Sequence, residues 1–197
     1  MISRAKPLSV LLVLVLCLFA LLSSAHAGTK VINVELGVST LEQVRKEAAS
    51  VGRIQNAGTS TWSKGPILLI DNPDLGIEGV KSVQYIFDPA GKLSAVVMTM
   101  PSSKGMGDLE KRRFDEVAKL LAEKYKIAKK VRPFVGDRYA KFTAPDTTIE
   151  IDAPHMSFDM EVRYMTNSFL KAFNSGVTTN AAEQRSNDVD FHAEVTH

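Results

Sequence analysis

Apolar residues recur along this chain at two spacings, and each change of spacing marks a change of element. Leu41, Val44, Ala48 and Val51 fall three to four apart, which predicts a helix over residues 40–50 ending before Gly52. Ser39-Thr40-Leu41-Glu42 has the form of a capping box, with Ser39 accepting first-turn amides and Glu42 reaching back. The stretch to Gly65 mixes Gly, Asn, Ser and Thr around Trp62 and reads as a strand or extended arm with loops. Pro66 to Ile70 is a short β-rich run, closed by the turn-forming Asp71-Asn72-Pro73-Asp74.

Val80 to Phe87 and Leu93 to Met100 flank Asp88-Pro89-Ala90-Gly91, where proline presets the turn and glycine accepts a positive φ. This is the clearest hairpin, with Val83, Tyr85 and Phe87 on one face. Pro101 to Gly107 breaks the pattern and reads as a hinge between halves. Asp108 is placed to cap a helix with the apolar stripe Phe114, Val117, Leu121 and Tyr125, and Lys124 and Lys126 suit the negative end of its dipole. From Ile127 the period returns to two, with Gly136-Asp137 as a tight turn and Ile149 and Ile151 alternating with Glu150 and Asp152. Between His155 and Met165 the alternation predicts a core face of Met156, Phe158, Met160, Val162 and Tyr164, with His155, Ser157, Asp159, Glu161 and Arg163 in water. Thr166 caps a short last helix that packs through Phe169, Leu170 and Phe173 and ends at Gly176.

The order helix, strands, helix, strands predicts an α+β fold with helices packed on antiparallel sheet. It suggests two helix-plus-sheet pseudo-repeats, residues 28–101 and 108–176, inside a single domain spanning 28–176. Residues 177–197 are polar without apolar periodicity and are expected to be a disordered tail.

The N-terminus changes the setting. Arg4 and Lys6 precede the apolar run Val10 to Leu22, and Ser23-Ser24-Ala25-His26-Ala27 follows with an A-x-A end, the pattern of a cleavable secretory signal over residues 1–27. That run is shorter than the roughly 20 residues of a bilayer-spanning helix, so the mature chain is expected to carry no transmembrane span and to be periplasmic or secreted. Arg4 and Lys6 also account for the whole excess of 24 basic over 22 acidic residues, so no global field argues for nucleic acid. Cys17, the only cysteine, lies inside the apolar run, which excludes thiol catalysis and disulfides after cleavage.

No assembled catalytic set emerges. Of the histidines beyond the signal, His192 and His197 lie in the tail, and His155 follows Pro154 on the polar side of a strand. No G-x-S-x-G, G-x-x-x-x-G-K-[ST] or G-x-G-x-x-G occurs, and no cofactor is implied. A hydrolase would have to bring Asp71, Asp74 or Asp152 to His155. A copper or metal carrier would need solvent-facing thioethers among Met98, Met100, Met106, Met156, Met160 and Met165, whereas core packing explains their alternation with apolar neighbours. The candidate binding residues are Trp62 as an interface anchor, the basic run Lys129, Lys130 and Arg132 with Arg138 as an anion-facing patch, and His155.

Thr40-Leu41-Glu42-Gln43-Val44, with Gly37 shortly before it, resembles the T-x-x-Q-V start of the small envelope modules of the SmpA/BamE type. The helix-then-sheet repeat also looks like the architecture of the β-lactamase inhibitor proteins. Both resemblances imply a non-enzymatic periplasmic or secreted protein that works by binding other proteins. The expected function is thus a non-catalytic binding or accessory protein of the bacterial cell envelope, whose partner is another envelope protein or an anionic envelope component.

Overall fold

A computed structural model describes residues 28–102 and 109–176; the predicted signal segment 1–27, residues 103–107 of the predicted hinge with Asp108, and the predicted tail 177–197 lie outside the described residues. The chain opens with a two-stranded ribbon, β1 (Lys30–Val31) and β2 (Val34–Glu35), which buries Val31, Val34 and Leu36. Helix α1 (Leu41–Ala48) follows, then a four-strand meander: β3 (Ile54–Thr59), β4 (Pro66–Asp71), β5 (Ser82–Phe87) and β6 (Leu93–Pro101). Helix α2 (Leu109–Ala122) leads into a second meander of β7 (Lys126–Val131), β8 (Arg138–Ala144), β9 (Thr147–Ala153) and β10 (Asp159–Thr166). A last helix, α3, covers 167–176.

The α+β expectation, with a small sheet in each half, is overturned: the protein is mostly β. Its strands form one eight-stranded antiparallel sheet in the order β3-β4-β5-β6-β10-β9-β8-β7, so the two meanders share a single central seam. At that seam β6 and β10 pair over seven positions from Asp159↔Pro101 to Met165↔Ala95, with Val162 opposite Met98 and Tyr164 opposite Val96. Nothing local in the chain announces a pairing between strands so far apart in sequence.

Helices α1 and α2 lie on the same face of this sheet. Val44 and Ala48 of α1 and Phe114, Ala118 and Leu121 of α2 enter one core with Leu68, Ile70, Val83, Tyr85, Phe142, Ile149 and Ile151. Among the described residues the opposite face is covered over β4, β5, β6 and β10, where α3 brings Phe169 against Ile86, Ala95 and Met165. Thr166 Oγ1 accepts from the Phe169 amide and starts that helix.

The α1 cap sits one residue later than the spacing predicts. Thr40 Oγ1 accepts from the Gln43 amide and Gln43 Oε1 accepts from the Thr40 amide, closing a capping box, while Ser39 Oγ serves the Glu35 amide in the preceding loop. The Thr40-x-x-Gln43 spacing is therefore explained by the start of a helix. The β5–β6 hairpin is as predicted, with Gly91 at φ +74 and Asp88 Oδ1 accepting from the Lys92 amide. The predicted tight turn at Gly136-Asp137 is instead a six-residue loop, 132–137.

Strand β10 departs more sharply. Alternation places Met156 and Phe158 in the core, yet they are 89% and 87% exposed. Pairing begins only at Asp159, and the chain before it turns outward through Pro154, held by Ser102 donating from its amide to Phe158 O and from Oγ to Ser157 O. Only Met160 and Val162 of the predicted apolar face are fully core, with Tyr164 half-buried beside them.

Candidate functional site

A groove of about 230 Å³ runs over the seam beside α2, and its floor is Met98 and Met100 of β6 with Val162 and Tyr164 of β10. Val117, Leu120 and Leu121 of α2 form one wall, and Ile77 and Glu78 of the β4–β5 loop the other. That second wall is tied to α2: buried Arg113 donates from Nη2 to Glu78 O and lies against Gly79, whose φ of +79 and missing Cβ leave room for the guanidinium. Leu120 and Ile77 stand at the rim, both about half exposed or more, as apolar residues with one side turned to water. Burial pushes the Tyr164 hydroxyl well above the usual phenol range, and Tyr125 adds to the shift, so the floor stays uncharged at neutral pH.

Chemically the groove offers thioethers, branched aliphatics and a protonated phenol, with Arg113 and Glu116 at its edge. Such a surface holds apolar groups by burial and gives little polar recognition. Its volume lies below the roughly 300–1,000 Å³ of drug-sized ligand sites and matches one or two side chains of a partner chain.

The opposite face, over β8–β10, is polar and internally paired. Arg163 donates from Nη2 to Asp152 Oδ2 and from Nε to Glu161 Oε2, both at 2.8 Å. Burial pulls the Arg163 pKa down, but Glu161 and Asp152 outweigh it and the net shift is upward. Next to it Lys141 lies 3.5 Å from the nearly buried Glu150. Burial raises the Tyr139 pKa strongly, reinforced by its hydrogen bond to Glu150. These cations already have carboxylate partners, which leaves the face poor in anion-binding capacity.

The sequence-predicted site residues are not brought together. Trp62 sits in the loop 60–65 at the far end of the sheet, edge-on to Phe173 at 5.4 Å, where it packs the core under α3. Lys130 and Arg132 point to the helix-bearing side and share Asp115 of α2, at 3.2 and 2.7 Å. Lys129 projects to the other face, over the Tyr139 ring. Arg138 is 5% exposed at the start of β8, and its Nε has no hydrogen-bond partner. His155 stands in the β9–β10 loop, its amide donating to Asp137 Oδ1 at 2.8 Å.

Two of the carboxylates that a hydrolase reading names, Asp71 and Asp152, lie far apart. Asp71 and Asp152 occupy one cross-strand row, Asp71-Ser82-Thr99-Glu161-Asp152, and are four strand spacings or about 19 Å apart. Asp71 accepts from Gln55 Nε2, and Asp152 is taken up by Arg163. Met98, Met100, Met160 and Met165 are buried, Met156 is exposed, and Met106 lies outside the described residues. Among the described residues no cluster of three or more His, Cys, Asp or Glu side chains is arranged to hold a metal ion. No helix among them is long and apolar enough to cross a membrane.

Compared with protein-family models, with curated proteins and with solved structures, the chain matches none. The groove was not legible beforehand, because its floor comes from two strands whose pairing is non-local. Leu120 carried the one local signal, an apolar residue standing off the Phe114-Val117-Leu121 stripe of its helix.

Proposed function

We propose that this is an exported, non-catalytic binding or accessory protein of the cell envelope that seats apolar side chains of a partner protein in the groove over the β6–β10 seam. The observation that carries the reading is the narrow apolar groove over Met98, Val162 and Tyr164, with Leu120 and Ile77 exposed at its rim. Leu120 and Ile77 give the rim of this narrow groove two half-exposed apolar side chains that a partner's apolar groups can cover. Export rests on the signal pattern of residues 1–27 and its A-x-A end. The T-x-x-Q-V resemblance to small envelope modules agrees with it.

Leu120→Glu places a charge at the rim without opening the core, since that side chain is largely in water. Used as bait in an envelope extract of the producing cell, the native protein retains a discrete partner, and the variant loses at least tenfold of it. Equal recovery by both proteins overturns the groove as the binding surface.

A further inference from the structure

Away from the groove, one end of the sheet carries a second apolar feature. The loops 132–137 and 154–158 project there side by side, and Phe134, Val135, Met156 and Phe158 are between 64% and 89% exposed. These loops are braced. Asp137 Oδ1 holds the His155 amide, Ser102 bonds both Ser157 O and Phe158 O, Ser157 Oγ accepts from the Asp159 amide, and Lys81 pairs with Asp159 at 2.6 Å. A fixed tip gains more from burial than a floppy one, because less conformational entropy is lost on contact.

Charge around the tip is arranged in two zones. Pro133-Phe134-Val135-Gly136 and Met156-Ser157-Phe158 carry no charged side chain. Behind them Lys129, Lys130 and Arg132 stand at the near end of β7, whose far end carries Lys126, and no acidic residue occurs from 124 to 136. Asp115 of α2 is shared by Lys130 and Arg132 and offsets one of these charges, Asp159 is matched by Lys81, and Asp137 stands at the inner end of its loop. The β7 edge is thus net positive.

We infer that this tip inserts Phe134, Val135, Met156 and Phe158 into the headgroup boundary of an anionic phospholipid bilayer, with the cations of β7 facing the lipid phosphates. A projecting uncharged apolar tip backed by lysines fits that interface: aromatic and aliphatic side chains enter the acyl boundary, and each nearby lysine strengthens binding roughly fivefold. The groove uses other residues, so this inference stands or falls separately from the partner-binding reading.

The test is co-sedimentation of the purified protein without its signal segment 1–27, with phosphatidylcholine vesicles with and without phosphatidylglycerol. The protein pellets with the anionic vesicles and is released by salt. Phe134→Ser combined with Phe158→Ser weakens binding at least tenfold while near-ultraviolet circular dichroism from Trp62 is unchanged. Lys129→Gln weakens it about fivefold and flattens the salt dependence. A protein that stays in the supernatant with both vesicle types overturns the inference, as does binding that the double substitution leaves intact.

Discussion

Truncating two residues of one alternating run, Phe158 and Met160, has sharply different consequences. Phe158 has 87% of its surface in water already, so Phe158→Ala forfeits about an eighth of a ring's burial, roughly 0.3 kcal/mol. Met160 is fully buried, opposite Met100 in the seam, and Met160→Ala loses its transfer energy and leaves a cavity, about 2–5 kcal/mol. With a urea slope of about 2 kcal/mol per molar, Met160→Ala lowers the midpoint by about 1–2.5 M and Phe158→Ala by less than about 0.2 M. Fluorescence of the single tryptophan, Trp62, packed against Phe173, reports the transition. Equal midpoint shifts for the two variants refute the placement of the β10 start at Asp159 and return Phe158 to the core.

Other consequences follow from single contacts. Thr40→Ala costs about 1 kcal/mol by removing the α1 cap, whereas Glu42→Ala stays within about 0.5 kcal/mol because Gln43 closes the box; thermal unfolding of both variants checks this. Gly65→Ala would bring a Cβ to 2.1 Å from Phe87 O, so it destabilises by about 1–3 kcal/mol in the same urea assay. Burial raises the Tyr85 pKa to about 12 against about 10 when unfolded, so its share of stability is present below pH 10 and lost as pH rises to 12. The loss over that range is about 3 kcal/mol, and Tyr85→Phe abolishes the loss, flattening the alkaline fall of the unfolding midpoint.

The parts of the fold legible in the sequence are those set by neighbours along the chain. Asp88-Pro89-Ala90-Gly91 between two alternating runs specifies the β5–β6 hairpin, and Val44 and Ala48 face the core as their spacing predicts. Alternation failed at Met156 and Phe158 because period two continues past the end of a strand, while the strand's start is decided by pairing with Pro101 on a distant element. The balance of α and β was misjudged for a related reason. Strands β3 and β7 are sheet edges with water on both faces, so their residues lack the half-buried pattern, and the single sheet exists only through the non-local β6–β10 seam. The site residues proposed from composition, Trp62 and the basic run, scattered because a strand sends Lys129 and Lys130 to opposite faces. Phe134 passes unnoticed in sequence, and Leu120 differs only by standing off its helix's stripe, because an exposed leucine or phenylalanine reads as core until the fold shows what it faces.

The groove is tested most directly by a photo-crosslinking amino acid placed at Leu120, inside its rim, and separately at Lys46, on the exposed side of α1, in the cells that make the protein. The predicted result is a discrete protein adduct from position 120 that is absent from position 46 and lost when Ile77→Glu is added across the groove. Adducts of the same mass and yield from both positions, or none from position 120, would contradict the claim that this seam is where the protein binds its partner.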